Sequence, residues 1–155
     1  MEYREKNEKG EVLAFLHKEK LAVLSTHASD GTIDASAIFY VIDENFDFYF
    51  TTKEETRKFQ NLMANPNVSL TITDVEGLKT VQVKGAASVV TDEKEVADRI
   101  TGLINKHKVE GVPWAQPIAK LEAGQYAIIR VTPSWLRYGV FKNEVPKGEY
   151  FKQII

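Results

Sequence analysis

The sequence predicts a mainly β protein, a small antiparallel barrel of six or seven strands with helices at its ends. Two observations support this fold class. From residue 21 onward, short segments of alternating apolar and polar residues follow one another, with turn sequences between them. Three other segments have apolar residues at helical spacing, and two of these interrupt the series of strands. Short hairpins with helices between some of the strands are typical of small antiparallel barrels.

Length and composition restrict the class of protein. The chain has 155 residues, of which 43% are hydrophobic, and this predicts one packed core and a single domain over residues 1–155. A net charge of −2 argues against nucleic-acid binding, which needs a basic surface. The absence of cysteine excludes disulfides and thiolate sites. No apolar run has the length of a signal peptide or a membrane span, so we expect a cytoplasmic protein without a membrane partner.

The first half of the chain predicts a helix followed by a three-stranded meander. Apolar residues at helical spacing predict an amphipathic helix over residues 11–18. Alternating segments then predict three strands, over residues 21–26, 32–42 and 46–50. Asp30 and Gly31, between the first two strands, are typical of a hairpin turn. Aromatic residues alternate in the third strand, where we expect core packing rather than stacking on nucleotide bases.

The second half of the chain predicts four more strands and a further helix. The strands are expected over residues 68–73, 80–90, 125–131 and 135–141. Gly85 in the second of these predicts a bulge or a sharp bend. Thr91 or Asp92 caps a helix whose apolar stripe consists of Val96, Ile100, Leu103 and Ile104. Before these strands, Asn65 and Pro66 are expected to end another helix.

The sequence TTKEETRK, residues 51–58, allows two starts for that earlier helix. In the first alternative, Thr51 or Thr52 is the N-cap and a following glutamate completes a capping box. Arg57 and Lys58 then lie in the second turn as ordinary solvated charges.

In the second alternative, Thr56 is the N-cap, and Arg57 and Lys58 are the first two helical residues. The segment TTKEE is then a loop. The two positive charges oppose the helix dipole at a cost of about 0.3–1 kcal/mol each, unless an anion binds there. Backbone N–H groups, a threonine hydroxyl and two cations at one helix start would together form a phosphate site. Local physical chemistry leaves both alternatives open.

Residues 46–70, FDFYFTTKEETRKFQNLMANPNVSL, resemble a segment of the pyridoxamine 5′-phosphate oxidase-like flavoproteins, the FMN-binding split-barrel family. In that segment an aromatic strand leads into threonine, then Ser/Thr-Arg-Lys, then a helix that ends in Asn-Pro. The order and spacing of the elements stay similar over residues 21–90. The resemblance implies a split barrel that forms a homodimer with FMN at the subunit interface. It also favours the second helix start.

The resemblance further implies which residues hold FMN. The residues expected at the phosphate are Thr51, Arg57 and Lys58, with Thr52 and Thr56 as helpers. The complete candidate set is Ser36, Ala37, Ile38, Phe39, Phe50, Thr51, Thr52, Thr56, Arg57, Lys58, Thr80 and Gln82. The second predicted strand lays its backbone along the flavin ring and the ribityl chain, and one residue of the pair Thr80 and Gln82 contacts the flavin. The chemistry would belong to the flavin, so no catalytic residue is assigned.

Two departures distinguish the chain from the oxidase itself. Where the oxidase carries Arg and Lys on the second strand, this chain has Ser36 and Val41, and the C-terminal substrate-phosphate residues of the oxidase have no match. The resemblance therefore implies an FMN-dependent oxidoreductase with an unknown small-molecule substrate. The alternatives are a non-catalytic FMN-binding or stress-related protein, or a member of the same fold that binds a deazaflavin or haem.

Histidine and tryptophan residues each allow more than one role. His17, His27 and His107 have no metal-binding spacing, so surface or core positions are favoured over ligands, with a single axial haem ligand as the exception. Trp114 and Trp135 either pack in the protein or cover a flavin ring at a subunit interface.

Overall fold

The computed structural model describes residues 2–111, 125–142 and 150–155, with side chains from residue 7 onward. Within these ranges it contains three helices, α1 (Glu2–Lys18), α2 (Arg57–Ala64) and α3 (Glu93–His107). The strands in the same ranges are β1 (Leu21–His27), β2 (Ile33–Phe39), β3 (Val41–Ile42), β4 (Phe48–Lys53), β5 (Asn67–Asp74), β6 (Lys79–Val89), β7 (Tyr126–Val140) and β8 (Phe151–Gln153). The predicted mainly β fold class is confirmed.

All the strands belong to one antiparallel sheet with the order β2-β1-β5-β6-β7-β4-β3, and β8 pairs with β7. Strands β2 and β3 lie at opposite ends of this order, yet only Tyr40 separates them along the chain. The sheet must therefore curl until its two ends meet. This curled arrangement of antiparallel strands with three helices is a split barrel, as predicted.

Some predicted strands are divided differently in the structure. Tyr40 interrupts the strand predicted over residues 32–42, and its hydroxyl donates a hydrogen bond of 2.8 Å to the carbonyl oxygen of Leu16 in α1. The strands predicted over residues 125–131 and 135–141 form the single strand β7, because β6 pairs with it along most of its length. Strand β4 continues through TTK, which the second helix start had assigned to a loop, because each of these residues pairs with β7.

The helix boundaries refine the predictions. Helix α1 begins at Glu2, well before its predicted start, in a segment rich in the good helix formers Glu and Lys. Helix α2 ends before Asn65, as expected. Asp92 rather than Thr91 caps α3, and its carboxylate accepts a hydrogen bond of 2.8 Å from the backbone N–H of Glu95. No helix in the described part of the chain is long and apolar enough to cross a membrane.

A β-bulge lies between β6 and β7 at Gly85, where the sequence predicted one. Gly85 pairs with Pro133, and the next pair along the strands skips Ser134. A bulge is one of the few places inside a sheet where proline is found. A Cβ atom at Gly85 would lie 2.6 Å from the carbonyl oxygen of Thr132, so the two backbones can approach this closely only with glycine.

Replacing Gly85 with alanine is therefore expected to lower the free energy of unfolding by about 1–3 kcal/mol, the usual cost of overpacking. Gly10 provides the matched control, because it lies in α1 and a Cβ there would meet no atom within 4 Å beyond its chain neighbours and the backbone of its own helix. The change Gly10→Ala should raise the free energy of unfolding by about 0.5–1 kcal/mol. Denaturant titration of both variants measures whether the free energy of unfolding falls in Gly85→Ala and rises in Gly10→Ala. An unchanged Gly85→Ala midpoint would mean that the strands separate easily at the bulge.

The barrel encloses the main hydrophobic core, and α3 covers a smaller cluster outside it. Phe46, Phe48 and Phe50 are at most 5% exposed and belong to the main core, which confirms the predicted packing role of the aromatic strand. Tyr49 points to the other side of β4 and packs under α3 with Leu103. Alternate side chains of β4 therefore pack on opposite sides of the strand, some in the barrel core and Tyr49 under α3.

Hydrogen bonds and ring contacts of Tyr49 hold α3 on the barrel. The guanidinium group of Arg99 lies 3.8 Å from the centre of the Tyr49 ring, and Nε of Arg130 donates a hydrogen bond of 3.2 Å to the hydroxyl. Arg130 also donates a bond of 2.6 Å to Glu95, which raises the pKa of Arg130 and lowers that of Glu95. Ile104, predicted for the buried stripe of α3, is instead 45% exposed.

Candidate functional site

Helix α2 starts as the second alternative predicted. Thr56 is the N-cap, with an extended backbone, and its side-chain oxygen accepts a hydrogen bond of 3.2 Å from the N–H of Phe59. Arg57 and Lys58 are therefore the first two helical residues, and no acidic residue lies in the first turn. The alternative with solvated second-turn charges is wrong, and the charge conflict with the helix dipole is present.

The hydroxyl groups of Thr52 and Thr56 are engaged within the turn before α2. Thr56 has one hydroxyl hydrogen, which it donates to the carbonyl oxygen of Lys53 at 2.7 Å. The contact of 3.0 Å between the two threonine oxygens therefore has Thr52 as the donor. These two predicted helpers shape the turn in this structure, and an anion would find other donors.

The donor groups at the start of α2 that have no partner at all within the described residues are two backbone N–H groups and the ammonium group of Lys58. The backbone N–H groups of Arg57 and Lys58 have no acceptor within the described residues, as expected for the first positions of a helix. The ammonium group of Lys58 has no hydrogen bond or ion pair there either, and burial lowers its pKa. A partly buried ammonium without a counter-ion at a positive helix end is unfavourable in isolation, and a bound anion would remove this cost.

Arg57, in contrast, has a carboxylate partner. Its Nε lies 2.8 Å from Oδ2 of Asp34 in β2, and its Nη2 donates a bond of 3.1 Å to Oδ1. The amide nitrogen of Asn61, one turn further along α2, donates to Asp34 at 2.9 Å and to the hydroxyl of Thr26 at 3.1 Å. This network fixes the start of α2 against β1 and β2.

The four predicted residues on β2 lie on both of its faces. Ile38 is 4% exposed and points into the barrel, as Ser36 does by alternation. Ala37 pairs with Val23 on the outer face, and Phe39 places its ring 5.0 Å from that of His107. The four residues all lie on β2, the first strand in the sheet order, and the edge of β2 opposite β1 has no paired strand within the described residues. A flat ligand along this edge would contact backbone groups more than side chains.

On β4, the predicted residues also separate by face. The side chain of Phe50 is fully buried in the core, so only its backbone can reach a ligand. Thr51 lies on the opposite face and is partly exposed, while Thr52 is buried beside Thr56. The strand therefore ends with its polar residues next to the start of α2.

Thr80 and Gln82 do not join the other candidates within one chain. Both lie on β6, which β1 and β5 separate from β2. Three strand spacings amount to about 14 Å. The register places Gln82 level with Thr71 and Val23 on the outer face, whereas Asp34 and its partners in α2 are on the inner side. Thr80 donates to Ile72 at 3.2 Å and is buried, so Gln82 is the more accessible of the pair.

The outer face of β1 and β2 is unusually apolar for a solvent-exposed surface. Leu21, Val23 and Ile33 are 50%, 47% and 59% exposed, respectively. Ala35 and Ala37 are exposed between them. Contiguous exposed apolar residues of this kind are typical of a protein interface.

The histidine residues have separate surroundings. His107 is buried, and its Nε2 lies 2.9 Å from the carbonyl oxygen of Tyr40. His17 and His27 are exposed on different elements. Within the ranges that the structure covers, no group of three or more potential ligands could hold a metal ion.

Trp135 lies on the outer face of β7 between two cations. Lys84 and Arg137 are 5.2 Å and 5.3 Å from the ring centre. Arg137 also donates a bond of 2.7 Å to the side-chain oxygen of Gln82. Trp114, the second tryptophan of the chain, lies outside the described residues.

Asp34 and Asn61 are functional candidates that were not predicted from the sequence. Alternation along β2 places Asp34 on the same inner face as Ile38, and a carboxylate at an inward position is a signal for a polar partner. Asn61 lies four residues after Arg57, which puts both on one face of α2. Those two patterns identify the residues but not their contact.

The topology and this helix start define a split-barrel protein with a candidate anion-binding site. The chain belongs to the pyridoxamine 5′-phosphate oxidase family, whose model matches residues 9–138. No curated protein matches the chain significantly.

Solved structures similar to this chain share its fold. A protein of Listeria innocua with the provisional description pyridoxamine 5′-phosphate oxidase has 24% identity and a TM-score of 0.65, over 84% of this chain and 96% of its own. An F420 reductase has 22% identity and a TM-score of 0.64, over 79% and 93%. The haem storage protein HutZ of Vibrio cholerae has 20% identity and a TM-score of 0.63, over 82% and 91%.

Proposed function

We propose that the protein is an FMN-binding homodimer and an FMN-dependent oxidoreductase whose substrate is a small molecule of unknown identity. The observation that carries the proposal is the start of α2, where Lys58 has no counter-ion within the described residues and two backbone N–H groups have no acceptor. A phosphate there satisfies the N–H groups, neutralises the ammonium and is favoured by the helix dipole.

The remaining candidate residues fit a ligand that extends from this phosphate along β2. The edge of β2 offers backbone groups to a ring system, and Thr51 lies at the adjacent end of β4. The chain's own residues would bind and orient the ligand and limit the access of water. Bound FMN would supply hydride or electron-pair transfer at its N5 atom.

The homodimer is supported by the division of the candidate residues. Gln82 lies on the outer face, away from the start of α2, and reaches a flavin only if the flavin belongs to a second copy of the chain. The exposed apolar residues Leu21, Val23 and Ile33 are on the same outer face and would be covered in such a dimer. Each flavin site would then contain residues of both subunits.

A deazaflavin is the second candidate cofactor. Its longer anionic tail needs additional cations, and Lys84 and Arg137 have no carboxylate partner among the described residues. The similarity in fold to an F420 reductase supports this candidate. A haem-binding protein, or a non-catalytic or stress-related FMN-binding protein, would be built on the same barrel.

Titration of the purified chain with FMN and with riboflavin tests the proposal. We expect FMN to bind at least tenfold more tightly, because riboflavin lacks the phosphate whose charge-assisted hydrogen bonds contribute about 1.5–3 kcal/mol each. The complex should have the mass of two chains. Visible spectra with a deazaflavin and with haem separate the cofactors, and turnover of NADH or NADPH separates an enzyme from a binder. Equal affinities for FMN and riboflavin would refute the phosphate site.

A further inference from the structure

The contacts of Asp34 suggest a role in the site beyond the fixing of α2. Its carboxylate binds Arg57 side-on, through Nε and Nη2. A guanidinium group has five N–H donors, so this pairing uses two and leaves the Nη1 edge available to another acceptor. The side-on geometry therefore presents Arg57 to a ligand without releasing it from Asp34.

Arg57 needs such a partner to have a defined position. Its side chain is 70% exposed, and the described residues contain no other hydrogen-bond partner for its guanidinium group. A long exposed arginine samples many rotamers, and ordering it on binding lowers the affinity about two- to tenfold. Because Asp34 already orders the Arg57 side chain in the free protein, ligand binding does not have to order it.

Asp34 is itself held in place from the core side. Asn61 is 6% exposed, and its amide nitrogen donates both to Asp34 and to the hydroxyl of Thr26, which is 3% exposed. The order of contacts runs from the buried Thr26 through Asn61 and Asp34 to Arg57 at the surface. Because Thr26 and Asn61 are buried and bonded to each other, they fix Asp34 and through it the position of the Arg57 guanidinium group.

We infer that Asp34 is a positioning residue for the phosphate site: it orients the Arg57 guanidinium so that the free N–H edge contacts the FMN phosphate. This inference rests on the proposed function, because it needs a phosphate at α2. The Asp34 carboxylate also repels a phosphate. In the proposed arrangement the Arg57 guanidinium group stands between the two anions, and its positive charge offsets much of this repulsion. The loss of orientation is therefore expected to outweigh the relief of repulsion when the charge is removed.

The test compares FMN and riboflavin affinities of four variants with those of the parent chain. Asp34→Asn keeps the shape and an acceptor for Asn61 but loses the charge, and we expect FMN to bind about two- to tenfold more weakly, with riboflavin unchanged. Asp30→Asn is the matched control, because Asp30 is an acidic neighbour of Arg57 whose hydrogen bonds go to Thr32 instead. It should leave FMN binding unchanged or slightly tighter.

The double variant Asp34→Asn/Arg57→Ala distinguishes positioning from a structural role. If Asp34 acts through Arg57, Asp34→Asn does not weaken FMN binding in the Arg57→Ala background, where the change removes an unneutralised carboxylate and should leave the affinity unchanged or slightly higher. Tighter or unchanged FMN binding in Asp34→Asn, or an equal loss with and without Arg57, would overturn the inference while leaving the phosphate site intact. A parent chain that prefers FMN no more than riboflavin would instead refute the proposed function, and the inference with it. Thermal unfolding of the apo variants shows whether each is folded.

Discussion

Lys58→Ala and Arg57→Ala are each expected to weaken FMN binding about ten- to a hundredfold while riboflavin binding stays nearly unchanged. Lys58 has no counter-ion within the described residues, so its whole charge is available to a phosphate. Arg57→Ala removes a donor and also leaves Asp34 without its cation, so an unneutralised carboxylate remains beside the ligand. Parallel titrations of both ligands against the parent and each variant measure the two effects.

Two controls make this result specific to the phosphate. The apo fold should be retained, because neither side chain is part of the hydrophobic core, and Lys58→Ala removes a charge that opposes the helix dipole. Lys94→Ala removes one exposed positive charge from α3, which packs against β3, β4 and β7, and should leave both affinities unchanged. A similar loss of FMN and riboflavin affinity in Lys58→Ala would mean that Lys58 contacts the flavin ring or supports the fold, and does not bind a phosphate.

Phe50→Ala is expected to lower the free energy of unfolding by about 3–5 kcal/mol, the range for a large aromatic residue removed from a core. The ring is fully buried between the strands of the barrel, where Phe50 pairs in register with Ile129. A domain has a total stability of about 5–15 kcal/mol, so this change removes a large part of it. Denaturant unfolding of the parent and the variant gives the difference.

Phe50→Leu is the control for Phe50→Ala, since it keeps an apolar side chain and leaves a smaller cavity. Its loss of stability should be clearly smaller. Phe50 was also a candidate cofactor-binding residue, and the two roles have different signatures. Because its side chain faces the core, the ratio of FMN to riboflavin affinity should be the same in Phe50→Leu as in the parent. A changed ratio would show that the ring contributes to the site.

Strands with one buried face could be predicted well from the sequence. In β5, Val68, Leu70 and Ile72 are buried and the residues between them are exposed, so the period of two is clear in the sequence. The bulge at Gly85 was also predictable, because glycine inside a strand often marks a bulge or a bend. These features depend on neighbours in sequence, which a single chain shows directly.

Features that depend on distant partners could not be predicted. Thr51 to Lys53 form a strand because they pair with residues 126–128, more than 70 positions later. The start of α2 was undecided because both possible starts offered a threonine cap of similar local energy. Asp34 and Arg57 are 23 residues apart on different elements, and only the docking of α2 against β1 and β2 brings them into contact. Tertiary packing decided each of these.

Strand β7 has a consequence for synthesis on the ribosome. It lies between β6 and β4 in the sheet and pairs with both, so it joins the two parts of the barrel. The hairpins β1–β2 and β5–β6 have local partners and can form while the chain is still growing. The sheet edges of β4 and β6, however, stay exposed to other chains until residues 126–140 have left the exit tunnel. Closure of the barrel is therefore a late event, and the period of greatest aggregation risk falls between the synthesis of β6 and that of β7.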